Sequence, residues 1–189
     1  MYAEAALSSE LGISRTPVRE ALIHLASRGL VIYIPRRGFQ IKSLSEKDVQ
    51  DLFELRIALE LTVIRRITPA LEPEAIQKIE ELSFKYETIA KSGNPVKTVN
   101  ADRQLHLYLA HLTDNPYLIK SIEEIRDFID LANIKSLEFE YRTAEAVREH
   151  QEIVKVLKAR SVAGALSKME EHIKVTEERI LFQIRSMNI

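Results

Sequence analysis

The sequence predicts a mostly α-helical chain. A winged helix-turn-helix is expected over residues 1–43 and an all-α bundle of six helices over residues 44–189. Three observations carry this expectation. Glycine (5) and proline (6) are scarce while charged residues make up 29%, the profile of a helix-rich folded chain. From Ser45 onward apolar residues recur only at helical spacing. The one stretch too short and too β-branched for a helix, Leu30 to Ile34, runs into turn residues and then an alternating Phe39-Gln40-Ile41.

The elements follow in order. Ala3 to Leu11 reads as a helix with Ala6, Leu7 and Leu11 on one side, closed by Gly12. Thr16 is the expected N-cap of a second helix with Pro17 as its first residue, and Val18, Ala21, Leu22 and Leu25 follow at helical spacing up to Gly29. Leu30-Val31-Ile32-Tyr33-Ile34, the turn Pro35-Arg36-Arg37-Gly38 and Phe39-Gln40-Ile41 form a hairpin. Ser45 with Asp48 opens a long helix as a capping box, and Pro69 stops it after Ile67. Further helices are expected over about Pro73–Lys91, Val96–Leu112, Pro116–Glu138, Thr143–Ala159 and Val162–Arg185.

Composition excludes several functions. There is no cysteine, hence no disulfide framework and no thiolate ligand or nucleophile, which fits a reducing cytoplasm. No apolar run approaches the roughly 18 residues of a membrane span, and the start shows no signal-peptide pattern, so a membrane partner is not expected. The net charge of −1 conceals a split. Residues 1–43 hold six basic side chains (Arg15, Arg19, Arg28, Arg36, Arg37, Lys42) against three acidic ones, leaving −4 on the rest. A basic head on an acidic body suggests two tasks.

Helix, tight turn, helix, hairpin is the order of a winged helix-turn-helix, whose second helix offers its N-terminal residues to the major groove. Arg15, Thr16 and Arg19 stand there, and Arg36 and Arg37 beside Gly38 stand at the tip of the wing. Arginine can grip a guanine edge or a phosphate, and threonine can serve either. A solvated basic helix and turn is the alternative.

In the body, polar groups occupy positions that should be apolar. His150 lies on the stripe Val147–His150–Val154–Leu157, and His172 on Leu166–Met169–His172–Ile173. Asp102 and His106, four apart, share a face with Val99 and Leu109. Buried unpaired, each would cost on the order of 2 kcal/mol or more. If they meet, one carboxylate and three imidazoles make an N3O site for a divalent ion, Zn²⁺ or Ni²⁺ by ligand chemistry. A lone inward histidine is otherwise a core residue bonded to a carbonyl, and an i,i+4 Asp–His pair is otherwise a surface pair. His24 and His111 fall off the stripes and are assigned to the surface.

The run Leu11-Gly12-Ile13-Ser14-Arg15-Thr16-Pro17-Val18-Arg19-Glu20-Ala21-Leu22, with Leu25, Gly29-Leu30 and Arg37-Gly38-Phe39, closely resembles the GntR family of bacterial transcriptional regulators. The resemblance implies that Arg15, Thr16, Arg19, Arg37 and Gly38 lie against double-stranded operator DNA. The family's winged domain begins with a further helix and short strand, roughly 25 residues that have no counterpart here, so the winged domain is expected to be incomplete and Leu7, Leu11, Leu22 and Leu25 to have less to bury against. Asp102-Arg103-Gln104-Leu105-His106, Asn115-Pro116, Glu149-His150-Gln151-Glu152-Ile153, Met169-Glu170-Glu171-His172 and Asp51 to Arg56 with Glu60 resemble the ligand-sensing FCD domain of the FadR subfamily. That resemblance implies one divalent metal per chain on Asp102, His106, His150 and His172, a small carboxylate effector, and a homodimer. Arg56, at the edge of an apolar face, is the candidate to hold the effector, against the alternative of a simple i,i+4 pair with Glu60.

The expected function is therefore a cytoplasmic transcription regulator, a repressor, with operator affinity set by an effector at a metal. One alternative is a metal or ligand sensor without DNA binding. Another is a metal-dependent hydrolase, which would need a general base within reach; Glu149 neighbours His150 but points about 100° away on an ideal helix. No nucleophile motif or phosphate loop is visible, so an enzyme is not expected.

Overall fold

Ser45, Asn94 and Asn115 each cap the helix that follows with a side-chain bond. The computed structural model describes residues 1–136 and 140–187. Its elements are α1 (Glu4–Leu11), α2 (Arg15–Ser27), β1 (Val31–Ile34), β2 (Gly38–Ile41), α3 (Glu46–Ile67), a single 3-10 turn (Thr68–Ala70), α4 (Pro73–Ala90), α5 (Pro95–His111), α6 (Pro116–Ser136), α7 (Glu140–Lys158) and α8 (Val162–Met187). The expected end of the fourth bundle helix at Glu138 lies outside the described residues. The chain divides into two compact units, Met1–Leu44 and Ser45–Ile189.

In the first unit α2 starts two residues earlier than expected. Ser14, not Thr16, is its N-cap, and it caps without a side-chain bond. Pro17 then sits third in the helix, where its missing N–H is still harmless because the first turn has no intrahelical acceptors. Val18, Leu22, Val31 and Phe39 form the small core, with Leu7 and Ala26 packed on it. None of α1 is fully buried, Leu11 is 61% exposed and Leu25 37%. The expected apolar side of α1 is thus covered only at Leu7.

The two strands pair antiparallel, Val31 opposite Ile41 and Ile34 opposite Gly38. Tyr2 adds a bridge to Phe39, its N–H donating to the Phe39 carbonyl at 2.7 Å and its carbonyl accepting from the Phe39 N–H at 2.9 Å. Gly38 is required here. Its φ is +99°, and a Cβ at this position would come within 2.4 Å of the Tyr2 carbonyl oxygen.

In the second unit the Ser45 hydroxyl accepts from the Asp48 N–H while the Asp48 carboxylate accepts from the Ser45 N–H, the full capping box. Asn94 caps α5 ahead of Pro95, and Asn115 accepts from the Tyr117 and Leu118 amides ahead of Pro116. Packing contacts close the six helices into a ring in the order α3, α8, α7, α4, α5, α6 and back to α3. Apolar side chains fill it, among them Phe53, Ile64, Leu105, Leu109, Ile122, Ile129, Ile153, Leu157, Met169 and Ile173, all essentially inaccessible. At roughly 1.5–3 kcal/mol each, this burial is what holds the ring closed around a polar centre. No helix among the described residues is long and apolar enough to cross a membrane.

Candidate metal centre

Each of the six ring helices sends a side chain to the polar centre. Asp102 and His106 come from α5, His150 from α7 and His172 from α8, all four buried. They bring one ligand atom each to within 4.8 Å of the others. The ring centroids of His150 and His172 are 4.6 Å apart, those of His106 and His172 5.4 Å, and those of His106 and His150 5.8 Å. The four residues read from the stripes meet, so the alternatives of a lone core histidine and a surface Asp–His pair do not describe them. His24 and His111 are exposed.

Which atoms face one another follows from the surrounding bonds. His106 gives its Nδ1–H to Glu60 of α3, and His172 gives its Nδ1–H to Glu149 of α7 at 2.8 Å. Each imidazole therefore turns an Nε2 lone pair inward. Arg126 of α6 donates twice to Asp102 Oδ2, at 2.8 and 2.9 Å. Asp102 Oδ1 is left 3.1 Å from His150 Nε2 and 3.6 Å from His106 Nε2. The 3.1 Å approach is close but not aligned as a hydrogen bond, and both nitrogens of His150 and the Nε2 of His172 are buried without a hydrogen-bond partner. Tyr86 of α4 closes the remaining side, packed edge-on to His150 at 4.3 Å.

Buried, unbonded imidazole nitrogens beside a carboxylate oxygen are costly unless something positive lies between them. The donor set, three imidazoles and one carboxylate, with two histidines backed by carboxylates, fits a divalent transition ion. The electrostatics prepare the groups to ligate. Burial would raise Asp102, but the Arg126 charge and the neighbouring imidazoles hold it well below the usual carboxylate range. Burial pushes His172 down to about 3, against the upward pull of its Glu149 bond, and burial also lowers His150. Burial works against Glu60 too, and the charges of His106 and Arg56 override it, leaving Glu60 far below its ordinary value. The centre thus sets an anionic Asp102 beside His150 and His172, whose burial favours the neutral form that ligates a metal.

Arg56 is not at the edge of an apolar face, as the sequence suggested. It is 1% exposed, pairs with Glu60 at 2.8 Å, and places Nη2 3.5 Å from His106 Nε2. The i,i+4 pair is present, but it is an inner pair, and Arg56 Nη1 is buried without a partner. Its guanidinium also lies 5.5 Å from the Phe53 ring centre.

Two arginines of the centre escaped the sequence reading. Arg126 lies on the stripe Ile122–Arg126–Ile129 and could have been found there. Arg179, seven residues after His172 on α8, donates to Glu149 at 2.6 Å. Glu149 itself, weighed as a general base, is committed to His172 and Arg179 instead. Thr176, one turn after His172 on α8, is buried and donates its hydroxyl to the His172 carbonyl at 2.9 Å.

In the head, Arg15, Thr16 and Arg19 are exposed at the start of α2, with Arg15 its first residue. Arg36 and Arg37 are exposed at the hairpin tip, and Gly38 is half-buried by Tyr2.

Comparisons with known proteins match two stretches of the chain. Residues 3–41 match the profile of bacterial regulatory proteins of the gntR family, and residues 51–175 match the FCD domain. The chain is 26% identical over 170 residues to the HTH-type transcriptional regulator YdhC of Bacillus subtilis, covering 89% of this chain and 76% of that protein. It is 25% identical over 185 residues to the HTH-type transcriptional repressor RspR of Escherichia coli, covering 98% and 81%. Among solved structures, E. coli McbR/YncC matches with a TM-score of 0.78 at 24% identity, over 95% of this chain and 85% of that one. These relatives are transcriptional regulators, not enzymes. A winged helix-turn-helix head followed by an all-helical FCD domain makes this chain a member of the gntR family of bacterial DNA-binding transcriptional regulators.

Proposed function

We propose that this regulator is a cytoplasmic homodimeric repressor whose operator affinity is set by a small carboxylate effector at a divalent metal, Zn²⁺ or Ni²⁺, one per chain. The observation that carries the reading is the convergence of Asp102, His106, His150 and His172 with unpartnered imidazole nitrogens. In this reading Asp102 Oδ1, the Nε2 atoms of His106 and His172, and His150 hold the ion. A bound divalent cation supplies a Lewis-acidic centre that attracts an anionic oxygen donor. Arg56, with Nη1 buried and unpartnered beside His106, is the group to accept the far end of that anion. A sugar acid, hydroxy acid or dicarboxylate has the matching chemistry.

Arg15, Thr16 and Arg19 read the major groove in this proposal, while Arg37 and Gly38 place the wing on the adjacent backbone or groove. A palindromic operator calls for two such heads about 34 Å apart, hence the dimer. The domains divide at residues 43 and 44, just before the Ser45 cap of α3. Effector binding acts by favouring one of two bundle packings, and it can shift DNA affinity only by its differential affinity for the two. Metal analysis of protein purified without a histidine tag tests the reading. About one equivalent of zinc or nickel per chain is expected. Protein that carries no metal, binds no added Zn²⁺ or Ni²⁺ and melts unchanged in EDTA would overturn it.

A further inference from the structure

Asp102 has two oxygens in different surroundings, and the difference is imposed by one arginine. Arg126 is wholly inaccessible in the middle of α6. Its Nη1 and Nη2 both donate to the same oxygen, Asp102 Oδ2, at 2.8 and 2.9 Å, and Nη2 also approaches the Asp102 backbone carbonyl at 3.4 Å. The usual arginine–carboxylate pair sets two nitrogens against two oxygens. Here the fork closes on one oxygen and on the main chain of the same residue, which fixes the side chain's rotation and leaves Oδ1 facing His150 and His106.

The rest of the neighbourhood holds Arg126 in place. Asp130, one turn further along α6, lies 3.9 Å from Nη1. Asp130 is shared with Arg103, whose Nη1 donates to it at 2.7 Å and to Asp127 at 2.9 Å. For Asp102 to turn both oxygens toward the imidazoles, it would have to withdraw Oδ2 from Arg126. That would leave a buried guanidinium, whose Nε is already without a partner, short of its main acceptor.

Building on the metal reading above, we propose that Arg126 is a positioning residue that assigns Oδ2 to itself and Oδ1 to the metal, so that Asp102 ligates through one oxygen only. The protein then offers four donor atoms and no more. That set suits an ion content with few ligands, and it keeps the remaining coordination positions for an exogenous anion. A chelating aspartate would take one of those positions itself. Arg126 on this account governs coordination number and open positions, not merely the folding of the bundle.

The test uses the full chain loaded with Zn²⁺ or with Co²⁺, whose visible absorption weakens as its coordination number rises. In the wild type, a crystal structure of the Zn²⁺-loaded protein is expected to show Asp102 on the metal through Oδ1, with Arg126 still on Oδ2. Arg126→Met removes the fork at similar length. Its Zn²⁺ affinity, by chelator competition, should fall about 10- to 100-fold, the range found when a supporting partner of a ligand is lost. Its Co²⁺ absorption should weaken as the released aspartate chelates. A purely structural arginine would lower the melting temperature and leave the Co²⁺ spectrum alone. Wild-type Asp102 chelating through both oxygens would overturn the proposal even if Arg126→Met fails to fold. So would a folded Arg126→Met with an unchanged Co²⁺ spectrum and Zn²⁺ affinity within about threefold of the wild type. Wild-type protein that takes up neither ion would remove this inference together with the metal reading, whereas normal uptake with a chelating Asp102 would remove this inference alone.

Discussion

His172 donates its Nδ1–H to Glu149 Oε2 at 2.8 Å, across the interface of α7 and α8. This bond decides which nitrogen of His172 is available, and it ties the imidazole's orientation to a residue on another helix. Arg179 in turn holds Glu149 from α8 at 2.6 Å. Glu149→Gln keeps the shape but no longer anchors the imidazole as an anion. Its metal affinity is expected to fall about 10- to 100-fold with little change in the fold. Chelator competition with Zn²⁺ checks this, and an affinity equal to the wild type would show that Glu149 does not support His172.

Metal should stabilise the second unit because its ligands come from three different helices, α5, α7 and α8. At a free Zn²⁺ concentration about 1,000 times the dissociation constant, linkage adds about 4 kcal/mol to unfolding, provided the unfolded chain does not bind. Thermal melts with Zn²⁺ and with EDTA should therefore differ by several degrees. His150→Ala should erase the difference. If His150→Ala melts as far apart in the two conditions as the wild type, His150 is not a ligand.

The four candidate ligands were legible in the sequence because each interrupts an apolar stripe of period 3.6, and a buried polar group needs a partner. Their supports were less so. Glu149 lies off its stripe, and its link to His172 depends on how α7 and α8 meet, which spacing within one helix does not specify. Arg126 does lie on a stripe, but arginine in such a position more often lays its stem on apolar surface and carries its charge to water. Spacing along α3 puts Arg56 at the edge of its apolar face, yet it is enclosed because Glu60 and His106 provide polar partners inside. The start of α2 was misread by two residues because Ser14 and Thr16 are both acceptable caps ahead of Pro17.

The metal-free protein should lose stability steadily on acidification. His172 in the folded state is held down to about 3, since burial disfavours its charged form more than Glu149 favours it. Unfolded, it titrates near 6.5. Between these values the unfolded chain holds more protons, so stability falls as pH drops from about 6.5, by roughly 1.4 kcal/mol per pH unit at most, until near pH 3. His150 is lowered in the same direction by its burial. Glu60, Asp102 and Glu149 are all held below their ordinary values despite burial, so their contribution is present above the unfolded carboxylate range and is lost as pH falls through their folded values. All these effects have one sign. Melts of EDTA-treated protein between pH 7 and 4 check it, and a flat melting temperature over that range would contradict a neutral His172.

Gly38→Ala tests the close approach at the wing. The added Cβ would meet the Tyr2 carbonyl oxygen at 2.4 Å, and φ of +99° is unfavourable for alanine in any case. Tyr2 must move off Phe39, breaking the two bonds that join the chain's start to β2. A loss of about 1–3 kcal/mol in the head is expected, from backbone strain alone. Hydrogen exchange at the Tyr2 and Phe39 amides should accelerate while the Zn²⁺-dependent melt of the second unit stays put. Unchanged protection at Phe39 would show that the bridge to Tyr2 does not hold the hairpin.

Arg19 and Arg37 should differ in what their removal does to DNA binding. Arg19 is exposed one turn into α2, where a side chain reaches base edges in the major groove. Arg19→Ala is expected to cost about 1–3 kcal/mol and to relax discrimination at one operator position. Arg37 is exposed at the hairpin tip, beside a glycine packed closely on Tyr2. As a phosphate contact, Arg37→Ala should weaken all sequences alike and reduce the slope of log affinity against log salt by about 1. Fluorescence anisotropy on operator variants at several salt concentrations separates the two. If Arg19→Ala also weakens every sequence equally and flattens the salt slope, Arg19 holds the backbone, and the reading of bases falls to Arg15 and Thr16.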